Sequence, residues 1–124
     1  MRILIVDDSA VMRSMERKML TALGVTETVE ASDGLQALTA VAAGNFDLIL
    51  MDWRMPVLSG LETLKQLKAM PDFQSIPVVM ITSESQKTKI LEAIQAGAAN
   101  YIIKPFTEEN LREKIHPYLK KEAA

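Results

Sequence analysis

Short runs of apolar residues alternate along the chain with longer segments in which apolar residues recur every three or four positions. An uninterrupted apolar run of four to six residues is typical of a strand that is buried on both faces of a parallel sheet. The longer segments have the spacing of amphipathic helices. The apolar runs predict strands over residues 2–6, 46–51, 76–81 and 99–103, and residues 25–30 predict a fifth strand that is short and weaker.

Polar capping residues, glycines and prolines indicate where five helices begin and end. Ser, Thr and Asp side chains cap helix beginnings, and glycine often follows the last turn. A helix also tends to stop before proline. The helices are therefore predicted from Ser9 to about residue 23, from Ser32 or Asp33 to Gly44, from 61 to before Pro71, from about Ser85 to Gly97, and from Thr107 to Leu119.

Spacing within the first and last helices predicts which residues point inward. In the first helix, Val11, Met15 and Met19 lie four apart on one face. Methionine is a common filler of apolar cores, so Met12, Met15 and Met19 are expected to pack inside. The last helix presents Leu111, Ile115 and Leu119 at the same spacing. Pro117 interrupts that helix and should bend or loosen its last turn.

Strict alternation of strands and helices predicts an α/β fold. We expect an open, doubly wound sheet of five parallel strands with helices on both faces, formed by a single domain over residues 1–124. In such sheets the ligand site lies outside the carboxyl ends of the strands.

Four of the predicted strands end at charged or hydroxyl residues that packing does not require. These residues are Asp7 and Asp8 after the first strand, Asp52 after the third, Thr82 after the fourth and Lys104 after the fifth. Taken singly, each has an ordinary explanation as a helix cap or a turn residue. Together they place three carboxylates, a hydroxyl and an amine on one edge of one sheet.

Adjacent carboxylates at such an edge predict a cation site. Asp7 and Asp8 repel each other and attract a cation. An all-oxygen ligand set favours Mg²⁺ or Ca²⁺ over Zn²⁺. This edge could therefore hold a divalent cation and transfer a phosphoryl group.

Composition narrows the partners and the compartment. The 124 residues include no cysteine, which excludes disulfides and thiolate chemistry. The net charge of -2, without any block of like charge, argues against nucleic acid as a direct partner. No segment approaches the roughly 20 apolar residues that span a bilayer, so no membrane partner is expected. The N-terminus lacks the pattern of a signal peptide. We expect a cytoplasmic protein.

The residues at the sheet edge, with their neighbours, resemble the receiver domain of two-component response regulators over the whole chain. The matching motifs are Asp7-Asp8-Ser9, Asp52 with Met55-Pro56 and Gly60, Thr82, and Lys104-Pro105-Phe106. Within that family the chain is most similar to the stand-alone chemotaxis regulators. That likeness rests on Ser9, Arg13, Met51-Asp52-Trp53, Asn100-Tyr101 and Phe106-Thr107.

The resemblance implies a flavodoxin-like sheet with strand order 2-1-3-4-5 and a role as a phosphorylation-activated switch. Asp52 would accept a phosphoryl group from a histidine kinase. Asp8 and Asp52 would bind Mg²⁺ through their side chains, the Arg54 carbonyl would add a ligand, and Asp7 would act through water. The protein would promote its own phosphorylation and dephosphorylation without being an enzyme that turns over a separate substrate.

The resemblance also implies how the switch reaches a partner. Lys104 would pair with the phosphoryl group, Thr82 would turn inward to bind one of its oxygens, and Tyr101 would follow by changing rotamer. The last two helices and the fifth strand would then bind an output protein, such as a flagellar switch protein. No output domain follows in the chain, so the protein would act by docking alone or is an excised domain.

One position departs from the chemotaxis branch. The residue two after the acceptor is Arg54, where that branch usually has asparagine. In the family this position and the one two after the threonine, here Glu84, line the approach to the phosphoryl group. The lifetime of the phosphoryl group and the identity of a phosphatase partner are therefore open.

Three other readings compete with a phosphorylated receiver. A phosphatase of the haloacid dehalogenase type would need an Asp-x-Asp motif and a cap insertion, but Asp7 and Asp8 are adjacent and no long insertion is present. A flavin-binding module would need a Ser/Thr/Gly-rich phosphate loop after the first strand. A receiver that binds partners without phosphate would not need the full acidic set.

Trp53 could be a loop anchor or a partner contact, and His116 is expected to be solvated near a helix end.

Overall fold

The computed structural model describes residues 1–83 and 87–119. Five strands and five helices alternate within them, and a short 3-10 helix follows at His116–Tyr118. The expected beginning of the fourth helix at Ser85, and Glu84, lie outside the described residues. The elements are β1 Arg2–Val6, α1 Ala10–Ala22, β2 Glu27–Ala31, α2 Gly34–Ala43, β3 Leu48–Asp52, α3 Gly60–Ala69, β4 Val78–Thr82, α4 Lys87–Gln95, β5 Asn100–Ile103 and α5 Glu108–Ile115.

All five strands form one parallel sheet in the order β2-β1-β3-β4-β5. This order confirms the doubly wound, flavodoxin-like fold expected from the sequence. The chain first winds outward from β1 to β2 and then returns to β3 on the other side of β1. The switch in direction lies between β1 and β3, where a doubly wound sheet opens its ligand crevice. Those two strands end at Val6 and Asp52.

Two apolar cores, one on each face, hold the sheet between its helices. One core contains Leu4, Ile49 and Met51 with residues of α2, α3 and α4. The other contains Ile5, Leu50 and residues of α1 and α5. Alternating strand residues point to opposite faces, and here both faces are apolar. This explains why β1, β3 and β4 are mostly continuous apolar runs in the sequence, whereas the edge strand β2 is not.

Side-chain caps fix the helix beginnings close to the predicted positions. The Ser9 hydroxyl accepts a hydrogen bond from the Met12 N–H and caps α1. Asp33, and not Ser32, caps α2 by accepting from the Gln36 N–H. Thr107 caps α5 as predicted.

Predictions for the last helix and the first helix need correction. Helix α5 ends at Ile115, and Pro117 lies in the 3-10 helix that follows, so Leu119 is not part of α5. Proline cannot donate the backbone hydrogen bond that an α-helix needs at that position. In α1 the expected inward face is wrong, because Val11 is 70% and Met15 is 44% exposed.

The buried residues of α1 are Glu16 and Leu20. Met19 packs partly against the core, whereas Met12, Met15 and Met19 together line an open cavity of about 380 Å³. The prediction that these methionines fill the core is therefore wrong for Met15. No helix among the described residues is long and apolar enough to cross a membrane.

Candidate functional site

The carboxyl ends of β1 and β3 bring three carboxylates together. Asp7 follows β1 directly and is buried, Asp8 is exposed, and Asp52 is the buried last residue of β3. One carboxylate oxygen from each lies within 4.8 Å of the others. Because β1 and β3 are neighbours and run in the same direction, their ends meet at one point of the edge. The structure thus groups the acids that the sequence placed at strand ends.

Backbone hydrogen bonds continue the sheet beyond the strand ends and fix this edge. The Asp7 N–H donates to the Ala31 carbonyl at 3.1 Å, which ties the residue after β1 to β2. The Trp53 N–H donates to the Ile81 carbonyl at 2.9 Å. On the other side of β4, the Lys104 N–H donates to the Thr82 carbonyl at 2.8 Å.

Hydrogen bonds from Ser9 and Arg13 hold Asp7 in place. Its carboxylate accepts a 2.8 Å hydrogen bond from the Ser9 N–H. Its carbonyl oxygen accepts a 2.7 Å bond from the guanidinium group of Arg13. Arg13 is in turn fixed by an ion pair with Glu30 on β2, with 3.0 Å between Nε and Oε1. In the sequence, Arg13 counted only toward the resemblance to chemotaxis regulators, and its bridge between Glu30 and Asp7 was not predicted.

Asp52 is enclosed from behind by Trp53 and Gly60. Trp53 is buried in the core between the sheet and its helices, so it anchors the loop after β3. The Gly60 N–H donates to the Trp53 carbonyl at 2.9 Å. A Cβ atom at Gly60 would collide with the carbonyl oxygen of Asp52. Glycine at this position allows the beginning of α3 to pack directly against the end of β3.

Lys104 provides the positive charge of the site. Its ammonium nitrogen lies 3.0 Å from a carboxylate oxygen of Asp52 and 3.3 Å from one of Asp7. Burial lowers the pKa of Lys104. The hydrogen bonds and charges of Asp52 and Asp7 raise it by a larger amount, so the net shift is upward. For Asp52, burial and the charge of Asp7 raise the pKa although Lys104 opposes them. The peptide bond between Lys104 and Pro105 is cis.

Glu16 is an acidic neighbour of the site that sequence analysis missed. Its side chain is 1% exposed, and neither carboxyl oxygen has a hydrogen-bond partner among the described residues. Burial, followed by the charge of Asp7, raises the pKa of Glu16 to about 8. Its position four residues before Leu20 puts it on the buried face of α1, but its charge argued against burial, so no clear signal for it was present in the sequence.

The remaining candidate residues lie around this centre. Thr82 is buried at the end of β4, beside Asp52 on the neighbouring strand. Tyr101 lies on β5 with its ring 4.5 Å from the ammonium nitrogen of Lys114, so its described contact is with α5 rather than with the carboxylates. Arg54 is exposed beside a cavity of about 310 Å³ that Lys89 also lines.

The donor set fits a hard divalent cation next to a group that carries negative charge. Carboxylate oxygens are the ligands that Mg²⁺ prefers. The three acids repel one another, which favours a bound cation, and one lysine offsets only part of their charge. The edge can therefore hold a cation and receive a further anion between the cation and Lys104.

Comparison with known proteins gives one family. The family described as "Response regulator receiver domain" matches residues 3–116. The chain is 45% identical over 115 residues to the chemotaxis protein CheY-3 of Vibrio cholerae serotype O1, covering 93% of this chain and 88% of that protein. It is 44% identical to the chemotaxis protein CheY of Pseudomonas aeruginosa, covering 93% of each.

Solved structures agree with this result. The chemotaxis response regulator CheY4 of Vibrio cholerae superposes with a TM-score of 0.88 at 33% identity, covering 95% of this chain and 98% of that chain. The receiver domain of a sensor histidine kinase from Pseudomonas aeruginosa PAO1 superposes with a TM-score of 0.81 at 30% identity, covering 90% and 91%. That structure has a magnesium ion coordinated in its active site cleft.

Proposed function

The chain belongs to the family of response regulator receiver domains, and from that premise we propose that it is a switch phosphorylated on Asp52 by a histidine kinase. The observation that supports this most directly is the position of Asp52. Its carboxylate lies beside two further acids and 3.0 Å from the ammonium group of Lys104. A nucleophilic carboxylate needs such neighbours, because the incoming phosphoryl group is itself an anion.

We further propose that the site binds Mg²⁺. Asp8 and Asp52 would bind it through their side chains, the Arg54 carbonyl would be a third ligand, and Asp7 would act through water. The clustered carboxylates support this assignment, and so does the similar receiver domain that contains magnesium. The ion would supply positive charge to the phosphoryl oxygens.

The transfer step follows from the chemistry of the side chains. A carboxylate oxygen of Asp52 attacks phosphorus as the bond from phosphorus to the kinase histidine breaks, and that histidine keeps the bonding electron pair. Lys104 pairs with the phosphoryl oxygens as charge builds on them. The Thr82 hydroxyl donates a hydrogen bond to one of these oxygens. The product is an acyl phosphate, which the protein hydrolyses without a separate enzyme.

The switch would act through the face formed by α4, β5 and α5. Leu91 and Ile94 on α4 and Ile103 on β5 are exposed apolar side chains on these elements. A phosphoryl group adds roughly two negative charges, and each new charge-assisted bond to it contributes about 1.5–3 kcal/mol. Bonds to Thr82 and Lys104 would favour the state in which Tyr101 has changed rotamer. In that state the face binds an output protein, which we propose is a flagellar switch protein of chemotaxis.

The behaviour of the phosphorylated protein would depend on Arg54, an exposed residue near Asp52. Arg54 would set the lifetime of the phosphoryl group and the choice of a phosphatase partner, since it lies two residues after the acceptor.

The protein would act in the cytoplasm as a single receiver domain over residues 1–124. Neither nucleic acid nor a membrane is a partner in this proposal.

Labelling by a small acyl-phosphate donor tests the proposal. Wild-type protein is expected to take up one phosphoryl group per chain when Mg²⁺ is present and to lose this ability in excess chelator. Asp52→Asn should abolish labelling while circular dichroism shows an intact fold. Asp72→Asn, at an exposed position, is the matched control and should label normally. Labelling of the Asp52 variant at the wild-type rate would show that the acceptor is wrong.

The same experiment separates the competing functions. Many turnovers on a free phosphomonoester would identify an Asp-nucleophile phosphatase. An unlabelled wild-type protein that still binds its output partner would identify a module that works without phosphate. One label per chain, followed by spontaneous loss, is the outcome expected of the switch.

A further inference from the structure

Glu16 is a buried acid for which the phosphorylation chemistry described above has no use. It lies on the inner face of α1 with 1% of its surface exposed, and both carboxyl oxygens lack hydrogen-bond partners among the described residues. A buried polar group without a partner destabilises a protein, and an apolar side chain of similar size would avoid that cost. Such a group in a native structure needs an explanation, and a partner that reaches it in another state would provide one.

The charges that face Glu16 identify this partner. They belong to Asp7 after β1, Asp52 on β3 and Lys104 after β5. Lys104 also lies against α1, because it lines one cavity together with Met12 and Met15. Burial is the main cause that raises the pKa of Glu16; the two aspartates also raise it, whereas Lys104 lowers it. Lys104 therefore attracts the Glu16 carboxyl group, while the aspartates would repel a carboxylate there. Lysine has a long, flexible side chain with three rotatable donors, so it can exchange one acceptor for another.

Lys104 is at present bound to groups that a cation would also need. Its ammonium group lies 3.0 Å from Asp52 and 3.3 Å from Asp7, and both aspartates belong to the cluster that fits a divalent cation. A cation bound by the aspartates would repel the ammonium group of Lys104. It would also occupy the carboxylates of Asp52 and Asp7, which are the two acceptors of that group. The Lys104 side chain is only 23% exposed, so its ammonium group gains from a new acceptor nearby when it loses its partners.

We propose that Glu16 is a positioning residue that acts as a second acceptor for the ammonium group of Lys104 when a divalent cation binds the aspartates. The inference rests on the proposed function in that it takes the aspartate cluster as a cation site. Glu16 would offer Lys104 an alternative to Asp7 and Asp52, and it would thereby make cation binding easier. When Asp52 later receives a phosphoryl group, Lys104 would leave Glu16 for the phosphoryl oxygens.

A cation titration of the intact protein tests the inference without any phosphorylation step. Mg²⁺ is added to the full chain, and binding is followed by the emission of Trp53, the single tryptophan, and by the amide resonances of Asp7 and Asp8. Glu16→Met, which removes the acceptor and keeps the size, is expected to weaken Mg²⁺ binding about tenfold, as for loss of a hydrogen bond to a charged group. Glu16→Gln keeps an accepting oxygen and should weaken binding only about threefold.

A double-mutant cycle with Lys104→Met shows whether Glu16 acts through Lys104. In the Lys104→Met background, replacing Glu16 by Met should change Mg²⁺ affinity less than about twofold, because no ammonium group remains to be accepted. A tenfold loss in both backgrounds would overturn the inference, since Glu16 would then act on the cation directly. Equal affinities of wild type and Glu16→Met would also overturn it.

Two further readouts separate this inference from a structural role and from failure of the proposed function. Glu16→Met should raise the melting temperature by about 4 °C, because it removes an unpaired buried polar group. Weaker cation binding in a more stable protein cannot come from misfolding, whereas a lower melting temperature would overturn the inference. A wild-type protein that does not respond to Mg²⁺ would overturn both the cation site and this inference. A normal wild-type response with no effect of Glu16→Met would overturn only the latter.

Discussion

The ammonium nitrogen of Lys104 lies 3.0 Å from a carboxylate oxygen of Asp52, although the two residues lie at the ends of strands that are not neighbours. Asp52 ends β3 near the middle of the sheet, and Lys104 follows β5 at its edge, with β4 between them. The lysine side chain therefore extends across the end of β4, where Thr82 lies. One ion pair thus connects the centre of the site with the loop between β5 and α5.

Lys104→Met should slow phosphorylation by a small acyl-phosphate donor by roughly 100- to 1,000-fold, as removal of one charge-stabilising donor does in other sites. The reason is that no ammonium group remains to pair with the phosphoryl oxygens. The rate of labelling at saturating Mg²⁺ measures the effect. Lys65→Met, at an exposed position on α3, is the control and should label at the wild-type rate. A Lys104 variant as fast as that control would contradict the assigned role.

Arg13→Met should weaken Mg²⁺ binding by about tenfold, because groups that orient metal ligands affect affinity on that scale. Arg13 donates to the Asp7 carbonyl and is fixed by Glu30. Arg17→Met is the matched control, since Arg17 also pairs with Glu30 but is half exposed and has no described contact with Asp7. Exposed ion pairs of this kind contribute little, so Arg17→Met should bind Mg²⁺ normally. The same Mg²⁺ titration measures both variants, and equal affinities for them would refute the bridge.

Gly60→Ala should both destabilise the protein and slow labelling, since its Cβ atom would push against the Asp52 carbonyl. Overpacking of this kind costs about 1–3 kcal/mol in the free energy of unfolding. Gly24→Ala is the control, because Gly24 has a positive φ of 93° but open space around it. That variant should lose stability through backbone strain alone and keep the wild-type labelling rate. Urea unfolding and labelling, measured on both variants, distinguish the two effects.

Glu16→Gln should flatten the pH dependence of stability between about pH 5 and 8. The pKa of Glu16 rises from 4.5 to about 8, so in this range the folded protein holds a proton that the unfolded chain releases. Stability must therefore fall as pH rises, by up to about 1.4 kcal/mol per pH unit, and level off above pH 8. The difference between wild type and variant in urea unfolding, measured in chelator, gives this slope. Glu27→Gln, at an exposed position, should retain the wild-type slope.

The sheet and its reactive edge could be predicted from sequence because both follow from local patterns. Strands buried on both faces are continuous apolar runs, and a polar residue that ends such a run must lie at a strand end. Parallel pairing then places Asp7, Asp52 and Thr82 on one edge. The bounds shifted by one or two residues, as with β3, which begins at Leu48 and not at Phe46.

Sequence reasoning failed where the helical pattern was ambiguous. Helix α1 has apolar residues on two faces, one with Val11, Met15 and Met19 and one with Met12 and Leu20, and spacing alone does not say which is inside. The structure buries the second face, and Glu16 with it. A charged residue on that face argued against burial in any sequence-based reading, because unpaired acids are rarely buried. The distances that join Lys104 to Asp7 and Asp52 depend on packing across the sheet and have no local signal.

The surroundings of Asp52 determine which parts of the protein can respond to a change at this residue. The strand before it is completely buried, Trp53 after it is held in the core, and Gly60 presses against its carbonyl. Asp52, the proposed acceptor, is consequently the stationary element of the site. Any adjustment to a newly attached group would therefore fall to Lys104 and the segment that follows β5, which leads into α5.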